Sequence, residues 1–375
     1  MLLYHRREGE GAVIDFLKDY TSFYQTSKKP KSLPELRKLH ETLGRPGDNF
    51  KIVHVTGTNG KGTVCLNIAK GLQASGFKTA LFTSPHYERC TERIVINGEM
   101  ISEERMVRIY QAHKEIFDEL LFFELFVLMA LIYFSEEKVS YAVIEVGIGG
   151  LHDSTNILMP ILSVITNITL DHQDILGDLA SIARNKAGII KQGVPVVLGP
   201  GAAHEECYKV AFEKNAPIYE VFDQDSDYLK ENKKIADKAL EVLHIIPLEK
   251  LFTLPARFEV VDNVVFDMAH NEGAFIALKT KMQLLYPDKK IIALWNMATS
   301  KDVTICLSIL RSFVSNVYFL PVKAYRLMSE EDAATLNVEI YEGQKEEIIL
   351  VCGSMYIMSF AKKLLFQSPY YLESL

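Results

Sequence analysis

The residues most able to do chemistry lie between Thr56 and Val64, where Gly57-Thr58-Asn59-Gly60-Lys61-Gly62-Thr63 follows a β-branched run, Lys51 to Thr56, and precedes a helix-period segment. Strand, glycine loop, lysine, hydroxyl and helix form the arrangement that cradles nucleotide phosphates. Glycines let backbone N–H groups approach the phosphate, the helix N-terminus adds positive potential, and a lysine reaches the terminal phosphates. The common G-x-x-x-x-G-K-[ST] spacing is not met. Val55 stands at the first glycine position, and Gly62 separates Lys61 from Thr63. The competing interpretation is a glycine-rich turn with a lysine in it by chance.

Other polar residues recur at the carboxyl ends of apolar runs, where ligands bind in parallel α/β sheets. Ser84 follows such a run and could equally be a turn serine. Glu145 lies inside the otherwise apolar Tyr141 to Gly150. A carboxylate there is costly unless it meets a cation, either a Mg²⁺ ion accompanying phosphates or a structural salt-bridge partner. His172, after Asp171, ends a third such run and suggests a metal or phosphate role. By composition alone Lys186 reads as a solvated helix lysine. Further on, Arg257 opens a segment, and Asp267 ends a strand before Ala269-His270-Asn271. Asp267 suits a ribose or phosphate contact, or a helix cap. No Ser-His-Asp order or Cys-His pairing stands out as a nucleophilic triad, and no G-x-G-x-x-G fingerprint is present.

These groups need a scaffold of alternating strands and helices. Strands are expected at 51–56, 78–83, 139–146, 161–168 and 194–198, with helices at 13–24, 33–43, 63–75, 102–118, 120–134, 178–187 and 226–244. A second set follows: strands 258–266, 290–295, 315–319 and 347–352, and helices 271–286, 301–312 and 354–366. Such alternation predicts an α/β fold with a mostly parallel sheet covered on both faces. A chain of 375 residues suggests two domains, divided as 1–255 and 256–375. Hydrophobic content of 48% excludes disorder, and a net charge of −7 argues against a nucleic-acid binder that relies on a general basic field. Five scattered cysteines read as reduced cytoplasmic thiols. No signal peptide is evident, and Leu120 to Phe134 is too short to span a membrane.

As an ordered set, His54 to Thr63, Thr83-Ser-Pro-His86 with Glu92-Arg-Ile, and Glu145 to Gly150 with Asp153-Ser-Thr-Asn156 resemble the folylpolyglutamate synthase and dihydrofolate synthase family of Mur-type amide ligases. Leu170-Asp-His172, Lys186-Ala-Gly-Ile-Ile-Lys191, Arg257-Phe-Glu259 and Asp267 with Ala269-His-Asn271 extend the resemblance over nearly the whole chain. It implies an N-terminal P-loop ATPase domain and a smaller, Rossmann-like C-terminal domain. It implies that Gly57 to Thr63 hold ATP, with Asn232, Arg257 and Asp267 as further ATP contacts. Ser84, Glu145 and His172 match magnesium ligands, for two ions, and Lys186 matches a lysine carried as a carbamate. Leu121, Phe122, Phe123 and Glu124, with His152, Asp153 and Ser154, align with segments lining a pterin pocket; His270 falls on the substrate side.

The activity implied is addition of L-glutamate to dihydropteroate or a reduced folate through an acyl phosphate, by a monomer using ATP, with no nucleic-acid or membrane partner. Departures concern the acceptor. Gly-Gly-Arg-Leu-Asp reads Gly149-Gly-Leu-His-Asp153, Met268 replaces a glycine, Pro-Gly-Arg reads Pro255-Ala-Arg257, and the stretch from Gly199 to Asn232 is short, so a small extra β element is expected to be trimmed. The same chemistry on another acid, or nucleotide binding without turnover, are the alternatives.

Overall fold

The computed structural model describes residues 29–171, 173–322, 324 and 327–366; the helix expected at 13–24 and His172 lie outside the described residues. The first sheet contains β1 (Lys51–Thr56), β2 (Thr79–Phe82), β3 (Ile94–Ile96), β4 (Glu99–Met100), β5 (Tyr141–Glu145), β6 (Leu162–Asn167), β7 (Val196–Gly201) and β8 (Ile218–Glu220). Its order is β4-β3-β2-β5-β1-β6-β7-β8. The strands from β2 to β8 are parallel, while β3 and β4 form an antiparallel edge.

Both faces are covered, which explains why the strands read as unbroken apolar runs. Val53 and Val55 of β1 pack with Val64, Ile68 and Leu72 of helix Lys61–Ala74, and with Ile235 and Leu240 of helix Tyr228–Val242. Ile52, on the opposite face, joins Phe126 and Leu128 of helix Phe122–Glu136. The latter helix is apolar all round, as a helix buried between other elements must be. No helix among the described residues is long and apolar enough to cross a membrane.

The second sheet contains β9 (Arg257–Val261), β10 (Val264–Asp267), β11 (Ile291–Trp295), β12 (Asn316–Phe319), β13 (Glu339–Ile340) and β14 (Ile348–Cys352), ordered β13-β12-β11-β14-β10-β9. It is parallel except for β9. Helices Glu272–Leu285 and Val303–Arg311 cover one face around Trp295, and helix Met358–Phe366 covers the other around Phe266.

Some expectations change. The single strand expected at 258–266 is a hairpin, because Asp262 takes a left-handed φ of 53° and folds Val261 back beside Val264. The 102–118 helix is broken at His113. Helix Glu205–Glu213 and β8 carry the α/β alternation on past Gly199, where the sequence pattern weakens and neither element was expected. All five cysteines are free and buried.

Candidate active site at the carboxyl ends of the first sheet

The glycine loop bends where β1 ends between β5 and β6. Its conformation is set by close approach: a Cβ on Gly57 would lie 1.8 Å from Thr166 Oγ1, and one on Gly60, at φ 81°, 2.1 Å from Asn232 Oδ1. Neighbouring β6 holds the loop open. The Thr58 N–H donates to the Asn167 carbonyl (2.9 Å) and the Asn59 N–H to Asn167 Oδ1 (2.8 Å). Asn59 and Asn271 pair through their side-chain amides across the two units, one built on each sheet.

Lys61 opens helix Lys61–Ala74, and its ammonium donates to the carbonyls of Gly57 and Thr58, both at 3.1 Å. Burial lowers its pKa, opposed by Glu145. Glu145 closes β5, is buried, and accepts from the Ser84 N–H at 2.9 Å. Burial raises its pKa, opposed by Lys61. No salt bridge joins Lys61 or Lys186 to a carboxylate among the described residues.

Lys186 corrects the sequence reading: it is 4% exposed, not solvated. The cause is a near-contact of backbones. A Cβ on Gly150 would lie 2.9–3.0 Å from the Asn185 and Lys186 carbonyls, so only glycine lets helix Leu179–Ala187 sit against that loop. Burial, reinforced by Lys61, lowers the Lys186 pKa to about 7. A lowered pKa favours the neutral form of an amine, which is the nucleophilic one.

Among the described residues no group of three or more His, Cys, Asp or Glu side chains gathers as a metal centre. One buried carboxylate beside a phosphate-type loop nonetheless suits Mg²⁺, which takes few protein ligands and completes its shell with phosphate and water. The oxygens of Ser84 and Glu145 are of the hard type that ion takes, while His172 lies outside the described residues.

A cleft between the units is lined by Gly60, Asn232, Arg257, Asp267 and His270. Asp267 is buried and accepts from the Tyr228 hydroxyl and from the N–H groups of Phe258 and Ala269, both at 2.9 Å. His270 Nδ1 lies 2.9 Å from the Met268 carbonyl, so that nitrogen carries the proton. Burial, then Lys301, lowers its pKa to about 4, leaving it neutral at pH 7.

The sequence reading gave no role to Asp171 and missed Lys301, joined to it at 2.6 Å across the units, and Tyr228. Asp171 sits beside the singled-out His172 and could have been found there. Tyr228 carries no local signal.

The acceptor segments are arranged differently. Glu124, aligned with a pterin-pocket segment, has its oxygens occupied by the Leu121 N–H (2.8 Å) and the Lys31 N–H (2.6 Å), capping helix Phe122–Glu136. Phe122 is buried against Phe126 and lies under the Arg93 guanidinium, while Phe123 packs on Phe82. Asp153 is buried, its oxygens taken by the Ile148 N–H (3.0 Å), the Thr155 N–H (3.0 Å) and the Thr155 hydroxyl (2.5 Å). His152 is exposed and Ser154 half-buried.

Residues 55–238 match the Mur ligase middle domain. The chain is 31% identical over 357 residues to the dihydrofolate synthase/folylpolyglutamate synthase of Escherichia coli (strain K12), covering 81% of this chain and 84% of the relative. E. coli FolC in complex with DHPP and ADP superposes with a TM-score of 0.83 at 27% identity, over 95% of this chain and 98% of that one. A bifunctional folylpolyglutamate synthase/dihydrofolate synthase with Mn, AMPPNP and L-glutamate bound gives 0.82 at 28%, over 93% and 98%. With a phosphate-type loop at the head of a two-sheet α/β frame, and this similarity along almost its whole length, the chain belongs to the dihydrofolate synthase/folylpolyglutamate synthase family.

Proposed function

We infer that this chain is an ATP-dependent ligase that joins the amino group of L-glutamate to the carboxylate of dihydropteroate or a reduced folate. The observation that carries the reading is Lys61, Glu145 and Lys186, three buried or half-buried ionisable groups that no salt bridge engages among the described residues, gathered beside a glycine loop. The family's bound ligands (DHPP with ADP, and AMPPNP, Mn and L-glutamate) supply the matching chemistry in relatives.

In this reading residues 1–255 bind ATP and residues 256–375 bring glutamate. The acceptor carboxylate attacks the γ-phosphorus, ADP leaves, and an acyl phosphate forms. The glutamate amine then attacks the acyl carbon and phosphate departs, leaving an amide. Gly57 to Thr63 receive the phosphates, and the Lys61 ammonium exchanges two loop carbonyls for phosphate oxygens, countering charge on the transferring group. Asn232 meets the base, and Arg257 and Asp267 contact ATP from the second unit. A magnesium ion held by Ser84 and Glu145 would neutralise phosphate charge when bound. The neutral amine of Lys186 can attack CO₂ through its lone pair and release one proton to solvent, leaving a carbamate anion where an ammonium would otherwise stand. The pocket for the pterin is formed from the 121–124 and 152–154 segments. A cytoplasmic setting suits the five free thiols.

The test is ADP release with dihydropteroate, tetrahydrofolate or neither, each with glutamate. Amide product from either acceptor supports the reading. Nucleotide binding without ADP release on any acceptor would sink it. Exposed Leu151, where an arginine is usual, favours a second reading for acceptor choice, with dihydropteroate preferred over polyglutamate.

A further inference from the structure

One contact between the units lies away from the nucleotide cleft. The loop from Ser84 to Glu92 leaves β2 at the Glu145 contact and returns to β3, its ends joined by the Thr83 N–H to Arg93 carbonyl bond. Glu92 holds the loop from within. Its carboxylate accepts from the N–H groups of Tyr87 (2.6 Å), Glu88 (2.8 Å) and Arg89 (2.7 Å). Three charge-assisted bonds to consecutive backbone groups leave the loop one shape.

The tip of this loop reaches the other unit. Tyr87 packs against the core built on Phe266, Ile357 and Met358. The Lys362 ammonium lies 5.2 Å from the Tyr87 ring centroid and 5.3 Å from that of Phe266, and pairs with Glu259 Oε1 at 2.6 Å. Glu259 is itself fixed by the Ala256 N–H (2.9 Å), one residue before Arg257. Ser359 donates to Glu88 from the same helix as Lys362. The Tyr87 hydroxyl is buried and has no hydrogen-bond partner among the described residues. An unsatisfied hydroxyl weakens a structure, so the ring, not the phenol, is what the contact uses.

We propose that the 84–92 loop is the docking post for the second unit, with Tyr87 and Lys362 as positioning residues that hold Arg257 over the nucleotide loop when the units are together. Lys362 sits between one ring from each unit and tethers the strand that begins with Arg257. Cation–π attraction over desolvated rings is strong enough to bias a domain equilibrium about tenfold. Since the loop's other end carries Ser84, seating of the second unit and the order of the Ser84–Glu145 contact are linked.

The full chain is tested as Tyr87→Phe, Tyr87→Ala, Lys362→Arg and Lys362→Met, with ADP bound for small-angle scattering and with ATP and acceptor for turnover. Tyr87→Phe and Lys362→Arg should match the parent in radius of gyration and in kcat, because ring and cation are kept. Tyr87→Ala and Lys362→Met should give a larger radius and a kcat lowered about tenfold. Scattering also reads docking in a chain that makes no amide, so failure here is separable from failure of the ligase assignment. Parent-like radius and kcat in both truncating variants would overturn the proposal, as would a loss in Tyr87→Phe equal to that in Tyr87→Ala. A lowered melting temperature with unchanged radius and turnover would also overturn it, by making the contact merely structural.

Discussion

The glycine loop and the segments expected to line the acceptor pocket treat buried charge in opposite ways. At the glycine loop, Lys61 leans on neutral carbonyls, Glu145 accepts one backbone bond, and Lys186 is buried with its pKa lowered to about 7. At the acceptor segments, Glu124 and Asp153 have both oxygens engaged by backbone N–H groups or a neighbouring hydroxyl. The rim there is apolar and open, with Ile148 45% and Leu151 39% exposed. A fully satisfied buried carboxylate fixes the shape of a loop; an incompletely paired one keeps capacity for a ligand. By this contrast, substitutions on the two sides should damage different kinetic constants.

The largest effect is expected at Lys61. Lys61→Ala should lower kcat about 10²- to 10³-fold while the protein stays folded, since one preorganised contact to developing charge is lost. A folded variant with near-parental turnover would erase the distinction between the two sides.

Lys186→Ala should also be inactive, yet partly restored by a short carboxylic acid that substitutes for a carbamate. Turnover of the parent should rise with added bicarbonate after exhaustive degassing. Indifference of both proteins to these additions would return Lys186 to a purely electrostatic role.

Asp153→Asn tests the other side. An amide places an N–H₂ group or loses an acceptor opposite the Ile148 N–H, costing about 1–3 kcal/mol of stability by leaving a buried group unpaired. The KM for the acceptor should rise while the KM for ATP holds. Equal rises in both would mean that this loop serves the nucleotide too.

The smallest shift is expected for Leu151→Arg. Stability should move by less than about 0.5 kcal/mol at so exposed a position. The ratio of kcat/KM for tetrahydrofolate over dihydropteroate should grow about two- to fivefold, the scale of an exposed ion pair. An unchanged ratio would show that the rim does not set acceptor choice.

What could be read from the sequence followed burial. β1 falls at Lys51–Thr56 as expected, because a strand covered on both faces is a plain apolar run bounded by a glycine turn. Glu145 stood out because a charge inside such a run demands an explanation. Lys186 did not, since Arg184-Asn-Lys186 looks solvated and its burial comes from Gly150, distant in sequence. The β9–β10 turn was missed because Asp262-Asn263 interrupts a valine-rich stretch by only two residues. Helix Glu205–Glu213 buries little beyond Cys207 and Ala211, too narrow a stripe to show as a period. The pairing of Tyr228 with Asp267 joins residues 39 apart in two units, and only the assembled fold brings them together.

The buried cysteines also make the molecule convenient to watch. Burial raises the thiol pKa at all five positions, to about 11 at Cys90 and about 12 at Cys207 and Cys306, and well above the ordinary value at Cys65 and Cys352. Thiolate is the form that reacts with maleimides and iodoacetamides, so the folded chain is nearly silent to them. Two cysteines introduced on the surface, one in each unit, would therefore carry a donor and an acceptor dye without first removing any native sulfur. Single molecules could then be followed as they open and close through a catalytic cycle.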